Sequence, residues 1–150
     1  MKSIFKTVLI DDEPLAIKRL NRLLESHNDT IEIVGTAANG EEGLQLVNKL
    51  RPDLIFLDIE MPIMTGFDML GLLNYQPKII FTTAFDNYAI KAFEENSVDY
   101  LLKPIEQDRL DKALEKLNRL GSQNVDSDQL QKMFATLQPK KNFKSFPVKV

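Results

Sequence analysis

The stretch Val8-Leu9-Ile10-Asp11-Asp12-Glu13-Pro14 runs three apolar side chains straight into three carboxylates. Like charges this close repel, so a set of acids at the edge of a core needs something to offset it. Further along, Asp58 and Glu60 follow the apolar run 54–57, and Thr82, Thr83 and Ala84 close another apolar run. Lys103 and Pro104 follow a third. The chain has no cysteine, and His27 is its single histidine. Clustered carboxylates without thiols or paired imidazoles suit a hard cation that prefers oxygen ligands and keeps its waters, Mg2+ rather than Zn2+. A lysine and a hydroxyl beside such a cation would bind the oxygens of a phosphoryl group. One carboxylate left in reach is then a candidate nucleophile for a covalent aspartyl-phosphate. Phosphoryl transfer asks mainly for positioning and charge neutralisation, and this set offers both.

Those residues converge only if the chain folds so that their segments end side by side. Short β-rich apolar runs occur at 7–10, 31–35, 54–57, 78–82 and 99–102. Between them lie stretches with helical periodicity. Residues 14–26 align Leu15, Leu20, Leu23 and Leu24, residues 41–50 align Leu44, Val47 and Leu50, and residues 106–120 align Leu110, Ala113, Leu114 and Leu117. Apolar positions three and four apart predict amphipathic helices packed on a sheet. Strand-helix alternation predicts a parallel sheet with crossover helices on both faces. The expected class is α/β, a doubly wound five-stranded parallel sheet of flavodoxin-like order 2-1-3-4-5, with five helices and a C-terminal linker helix. Asn39-Gly40, Thr65-Gly66 and Asp86-Asn87 read as starts of the second, third and fourth helices. Pro52 and Pro77 end what precedes two of the strands. In such sheets ligands bind at the carboxyl ends of the strands. Asp11, Asp12, Glu13, Asp58, Glu60, Thr82, Thr83 and Lys103 all fall there.

The bulk numbers narrow the field. With 43% hydrophobic and 27% charged residues, the chain can build a real core under a soluble surface. A formal net charge of -3 gives no global case for nucleic acid or anionic membranes. Lack of cysteine points to a reducing cytoplasm. The N-terminal apolar run is too short for a signal peptide or a membrane span. Residues 39–43, Asn-Gly-Glu-Glu-Gly, lack the spacing of a nucleotide loop. Residues 1–120 are expected to form one domain and 121–150 a linker. The latter carries an amphipathic stripe at Leu130, Met133, Phe134 and Leu137, then the start of a truncated further domain.

The motifs VLIDDEP, LIFLDIEMPIMTGFDML, IIFTTAF and VDYLLKPI, in that order and spacing, resemble those of response-regulator receiver domains over residues 4–120. The resemblance implies that Asp58 is the phosphoacceptor. It implies that Asp11 and Asp12 hold Mg2+, with Asp58 and the backbone carbonyl of Glu60. Thr83 would bond the phosphoryl group, Lys103 would pair with it, and Tyr100 would be a switch aromatic that turns inward when Thr83 moves. The Lys103-Pro104 bond would be cis. A sensor histidine kinase would be the donor, homodimerisation the response to phosphorylation, and turnover chemistry no part of the role. The segment 81–104 resembles receivers that precede a LytTR DNA-binding domain, so transcription regulation would be the output, with DNA contacted only through that absent domain.

Each of these residues also has a plainer reading. Glu13 could simply favour the N-terminus of the first helix. One of Thr82 and Thr83 is structural, since threonine suits strands. Tyr100 needs no switch role to sit near a strand end. His27 reads as surface or helix C-terminal decoration. The rival function is a Mg2+-dependent phosphohydrolase with an aspartyl nucleophile. Such enzymes resemble a D-x-D pattern after the first strand, whereas this chain has adjacent Asp11-Asp12.

Overall fold

The computed structural model describes residues 4–85 and 98–120. Strand β1 (Phe5–Ile10) leads to α1 (Pro14–Leu24) and a 3-10 turn at Glu25–His27, then to β2 (Ile31–Ala37) and α2 (Gly40–Leu50). Strand β3 (Leu54–Asp58), α3 (Gly66–Gly71), β4 (Lys78–Thr83), β5 (Asp99–Leu102) and α4 (Gln107–Leu120) follow. All strand pairs are parallel, and the order is β2-β1-β3-β4-β5. The expected class and strand order are both found. The expected fourth helix, its Asp86-Asn87 start and the whole of 121–150 lie outside the described residues.

The two faces of the sheet bury different helices. Ile10, Ile55, Leu57, Ile79 and Phe81 pack with Val47 of α2 and with Phe67, Met69 and Leu70 of α3. Leu9, Leu54, Phe56 and Ile80 pack with Leu20 and Leu24 of α1 and with Leu110, Ala113, Leu114 and Leu117 of α4. Alternate residues of each central strand thus serve opposite layers, and β3 and β4 are buried along their whole length. Each Leu or Ile so enclosed contributes about 1.5–3 kcal/mol relative to exposure. Two expected stripe residues are not enclosed. Leu15 is 77% exposed and Leu50 37%. The first turn of α1 stands at the carboxyl edge of the sheet, with less sheet beneath it, and Leu50 ends α2 where Arg51 turns into the left-handed region.

Local chemistry explains the helix boundaries. The Asn39 side chain accepts the Glu42 amide at 2.8 Å, which starts α2. Thr65 and Asp68 form a reciprocal capping box at the start of α3, with bonds of 3.1 Å each way. Helix α4 is fastened on two sides. Gln107 donates to the Leu23 carbonyl, tying α4 to α1, and Arg19 of α1 donates at 2.7 Å to the Ile105 carbonyl just before α4 begins. On the other side the Arg109 guanidinium grips both oxygens of buried Asp99, at 2.9 and 2.7 Å, and the Tyr100 carbonyl at 3.0 Å. His27 is no mere decoration: its Nε2 lies 2.6 Å from the Asp111 carboxylate of α4. Among the described residues no helix is long and apolar enough to cross a membrane.

Candidate functional site

The register of the sheet places the candidate residues side by side. Ile10 pairs with Leu57, so Asp11 and Asp58 are the next residues of adjacent strands. Asp58 pairs with Thr82, and Thr83 with Leu102, so Lys103 comes directly after that pair. The Lys103 amide donates to the Thr83 carbonyl at 2.7 Å, extending the ladder one step beyond the strands. The Lys103-Pro104 bond is cis, as expected. Gly66 completes the arrangement from α3. Its amide donates to the Ile59 carbonyl, and a Cβ there would lie 2.6 Å from the Asp58 carbonyl oxygen. Only glycine lets α3 start so close to the β3 end.

Carboxylate oxygens of Asp11, Asp12 and Asp58 lie within 4.8 Å of one another. Asp11 and Asp58 are buried, Asp58 with 1% of its surface exposed, while Asp12 is the more accessible. Burial pushes the Asp58 carboxyl up to about 8, and the neighbouring Asp11 charge adds to that rise. The Lys103 ammonium offsets part of it. Its Nζ lies 2.8 Å from Asp11, 3.0 Å from Glu13 and 3.4 Å from Asp58. Burial disfavours the charged lysine, but its hydrogen bonds to Asp11 and Glu13 and the nearby Asp58 charge outweigh that, and the ammonium is held above its ordinary range. A cluster of oxygen donors with charge still uncompensated fits a divalent cation. Asp11, Asp12 and Asp58 are the residues that would hold it.

Thr82 and Thr83 are both buried but make different contacts. The Thr82 carbonyl accepts the Ile59 amide. The Thr83 hydroxyl is wholly buried and donates to the Glu60 carboxylate at 2.6 Å. Tyr100 is already turned inward, buried in the cluster that holds Phe81, its register partner. The Arg109 guanidinium lies 5.9 Å from its ring centre.

Two functional contacts escaped the sequence. Glu13 stands at the N-cap of α1 without a capping side-chain bond, because its carboxylate turns to Lys103. Its adjacency to Asp11-Asp12 was the available signal. For the Glu60 side chain, which reaches β4, no pattern in the sequence gave notice.

Residues 7–115 match the family model described as the response regulator receiver domain. The chain belongs to that family. Among curated receivers it is 53% identical over 118 residues to the transcriptional regulatory protein BtsR of Salmonella typhimurium, covering 77% of this chain and 49% of that protein. The chain thus spans about half the length of the curated relatives it matches. Among solved structures it resembles the response regulatory domain of protein mrkE from Klebsiella pneumoniae, at 34% identity and a TM-score of 0.66, covering 77% of this chain and 96% of that one. The REC domain of AraT from Geobacillus stearothermophilus aligns at 30% identity and a TM-score of 0.68, covering 78% and 95%.

Proposed function

We propose that this chain is a phosphorylation-controlled receiver of a two-component system, with Asp58 as phosphoacceptor and Mg2+ as its cation. The observation that carries the reading is the meeting of Asp11, Asp12, Asp58, Thr83 and Lys103 at one sheet edge, around a carboxyl that burial has raised. Mg2+, when held by Asp11, Asp12, Asp58 and the Glu60 backbone carbonyl, would neutralise charge on the transferring phosphoryl oxygens.

The chain's own residues account for the rest. An Asp58 carboxylate oxygen forms the new bond to phosphorus, and the donor's bond to phosphorus breaks. The leaving group is the imidazole of a phosphohistidine on a sensor kinase, or acetate from acetyl phosphate. The Lys103 ammonium pairs with one phosphoryl oxygen, and the Thr83 hydroxyl donates to another. Tyr100, on the strand beside that of Thr83, belongs to the element that reads the change. The affected surface comprises β5 and α4. Its output is homodimerisation, which brings together two LytTR-type DNA-binding domains in a longer, cytoplasmic transcription regulator. The likeness to BtsR, a transcriptional regulatory protein of about twice the matched length, supports the transcription-regulator part of this reading. No substrate turnover beyond the chain's own phosphorylation and dephosphorylation is expected.

Intact mass after incubation with acetyl phosphate and Mg2+, beside Asp58→Ala, tests the reading. A phosphoryl-sized gain in the parent, absent without Mg2+ and absent in the variant, is expected. No gain in the parent from either acetyl phosphate or a phosphorylated kinase would refute it. Sedimentation of the phosphorylated chain as a pure monomer at roughly 50 μM would remove the dimer.

A further inference from the structure

Glu60 stands two residues after Asp58, and its amide donates to Asp58 Oδ1 at 3.3 Å. Its side chain crosses to the end of β4. One carboxylate oxygen accepts the Thr83 hydroxyl at 2.6 Å, and the other faces the Ala84 amide at 3.4 Å. The Thr83 oxygen also accepts the Phe85 amide at 3.0 Å. A hydroxyl has one proton to donate, and here Glu60 takes it. The bond is short and charge-assisted, about twice the strength of a neutral one. A hydroxyl and a backbone N–H that converge on two oxygens of one anion are the same donors a phosphoryl group on Asp58 would need.

We propose that the Glu60 carboxylate is the resting occupant of the phosphoryl berth. It satisfies the buried Thr83 hydroxyl and faces the Ala84 amide in the unphosphorylated chain, and must be displaced when Asp58 is phosphorylated. The inference rests on the phosphoacceptor reading of Asp58. Glu60 is half-buried, so its carboxylate has a short way to solvent. Repulsion between it and an incoming phosphoryl dianion supplies the push. Glu60 is on this account a positioning residue. It acts through Thr83, and it sets how hard the switch is to throw.

The experiment compares the parent with Glu60→Gln and Glu60→Ala, following backbone amide spectra and intact mass with acetyl phosphate and Mg2+. Before phosphorylation, Glu60→Ala should move the Thr83, Ala84 and Phe85 amide signals. After phosphorylation, the signals of parent and variant should coincide, because Glu60 has left in the parent too. The initial phosphorylation rate should rise on the order of tenfold in Glu60→Ala, the equivalent of one charged hydrogen bond no longer surrendered. Glu60→Gln, which keeps an acceptor without the charge, should fall between. The gain should survive roughly 0.5 M salt, where simple repulsion of the donor by an exposed charge is screened. An unchanged or slower rate, a gain abolished by salt, or amide differences that persist after phosphorylation would overturn the proposal. If neither parent nor variants gain phosphoryl mass, the phosphoacceptor reading itself falls, and this inference falls with it.

Discussion

Asp58→Asn should stabilise the cation-free chain. The amide is nearly the same shape as the carboxylate and removes a charge that the fold disfavours. Burial and the Asp11 charge hold Asp58 at about 8 against an ordinary value of 3.8. For a carboxyl raised in this way, stability is fully present below its unfolded value and is lost as pH rises through the folded one. Each pH unit in that interval costs folding about 1.4 kcal/mol. With the amide's own burial subtracted, the advantage of the variant at pH 7 comes to about 2–4 kcal/mol, on the order of 10 °C in melting temperature. Denaturant and thermal unfolding in EDTA, at pH 4, 7 and 9, measure it. The variant should lie slightly below the parent at pH 4, overtake it toward neutrality and level off above pH 8, since other titrating groups cancel in the difference. Saturating Mg2+ should reverse the ranking, because only the parent keeps all three acids. A variant no more stable than the parent at pH 9 in EDTA, or an advantage that is flat with pH, would refute the reasoning.

Gly66→Ala should cost about 1–3 kcal/mol and slow phosphorylation several-fold in mass time courses, because the new Cβ would meet the Asp58 carbonyl oxygen at 2.6 Å. Arg109→Met leaves the Asp99 carboxylate buried without its fork. Burial alone would raise Asp99, but the Arg109 hydrogen bonds hold it below its ordinary range, and their loss should cost about 3–5 kcal/mol at pH 7. That stability is present above the ordinary carboxylate range and disappears as pH falls, so unfolding at pH 3 should show a smaller gap between the two proteins. The His27–Asp111 pair is more exposed, and a double-mutant cycle should return a coupling below about 1 kcal/mol.

The carboxyl edge of the sheet was legible because parallel strands impose a rule on residue order. Asp58 ends a strand buried along its whole length, so the first polar residue there had to mark the end of the sheet. Lys103 and Thr83 follow the same rule, and Thr83 separates from Thr82 because alternate strand residues face opposite layers. The helices were legible where a full turn lies over the sheet, as at Leu110, Ala113, Leu114 and Leu117. They were misread where a stripe runs past the sheet, as at Leu15. What stayed hidden were side chains whose partners come from remote segments. Glu13 answers to Lys103, Glu60 to Thr83 and His27 to Asp111, and no local period encodes such meetings.

Helix α4 is held by β5 through Arg109, by α1 through Gln107 and by the 3-10 turn through His27, while Arg19 of α1 fixes the Ile105 carbonyl just before it. In mechanical terms it is a bolted post, braced on both sides, and not a swinging arm. A signal that starts at Asp58 cannot travel by lifting this helix away, since that would break every brace at once. It has to travel as a change in what the post's outer surface offers to a neighbour.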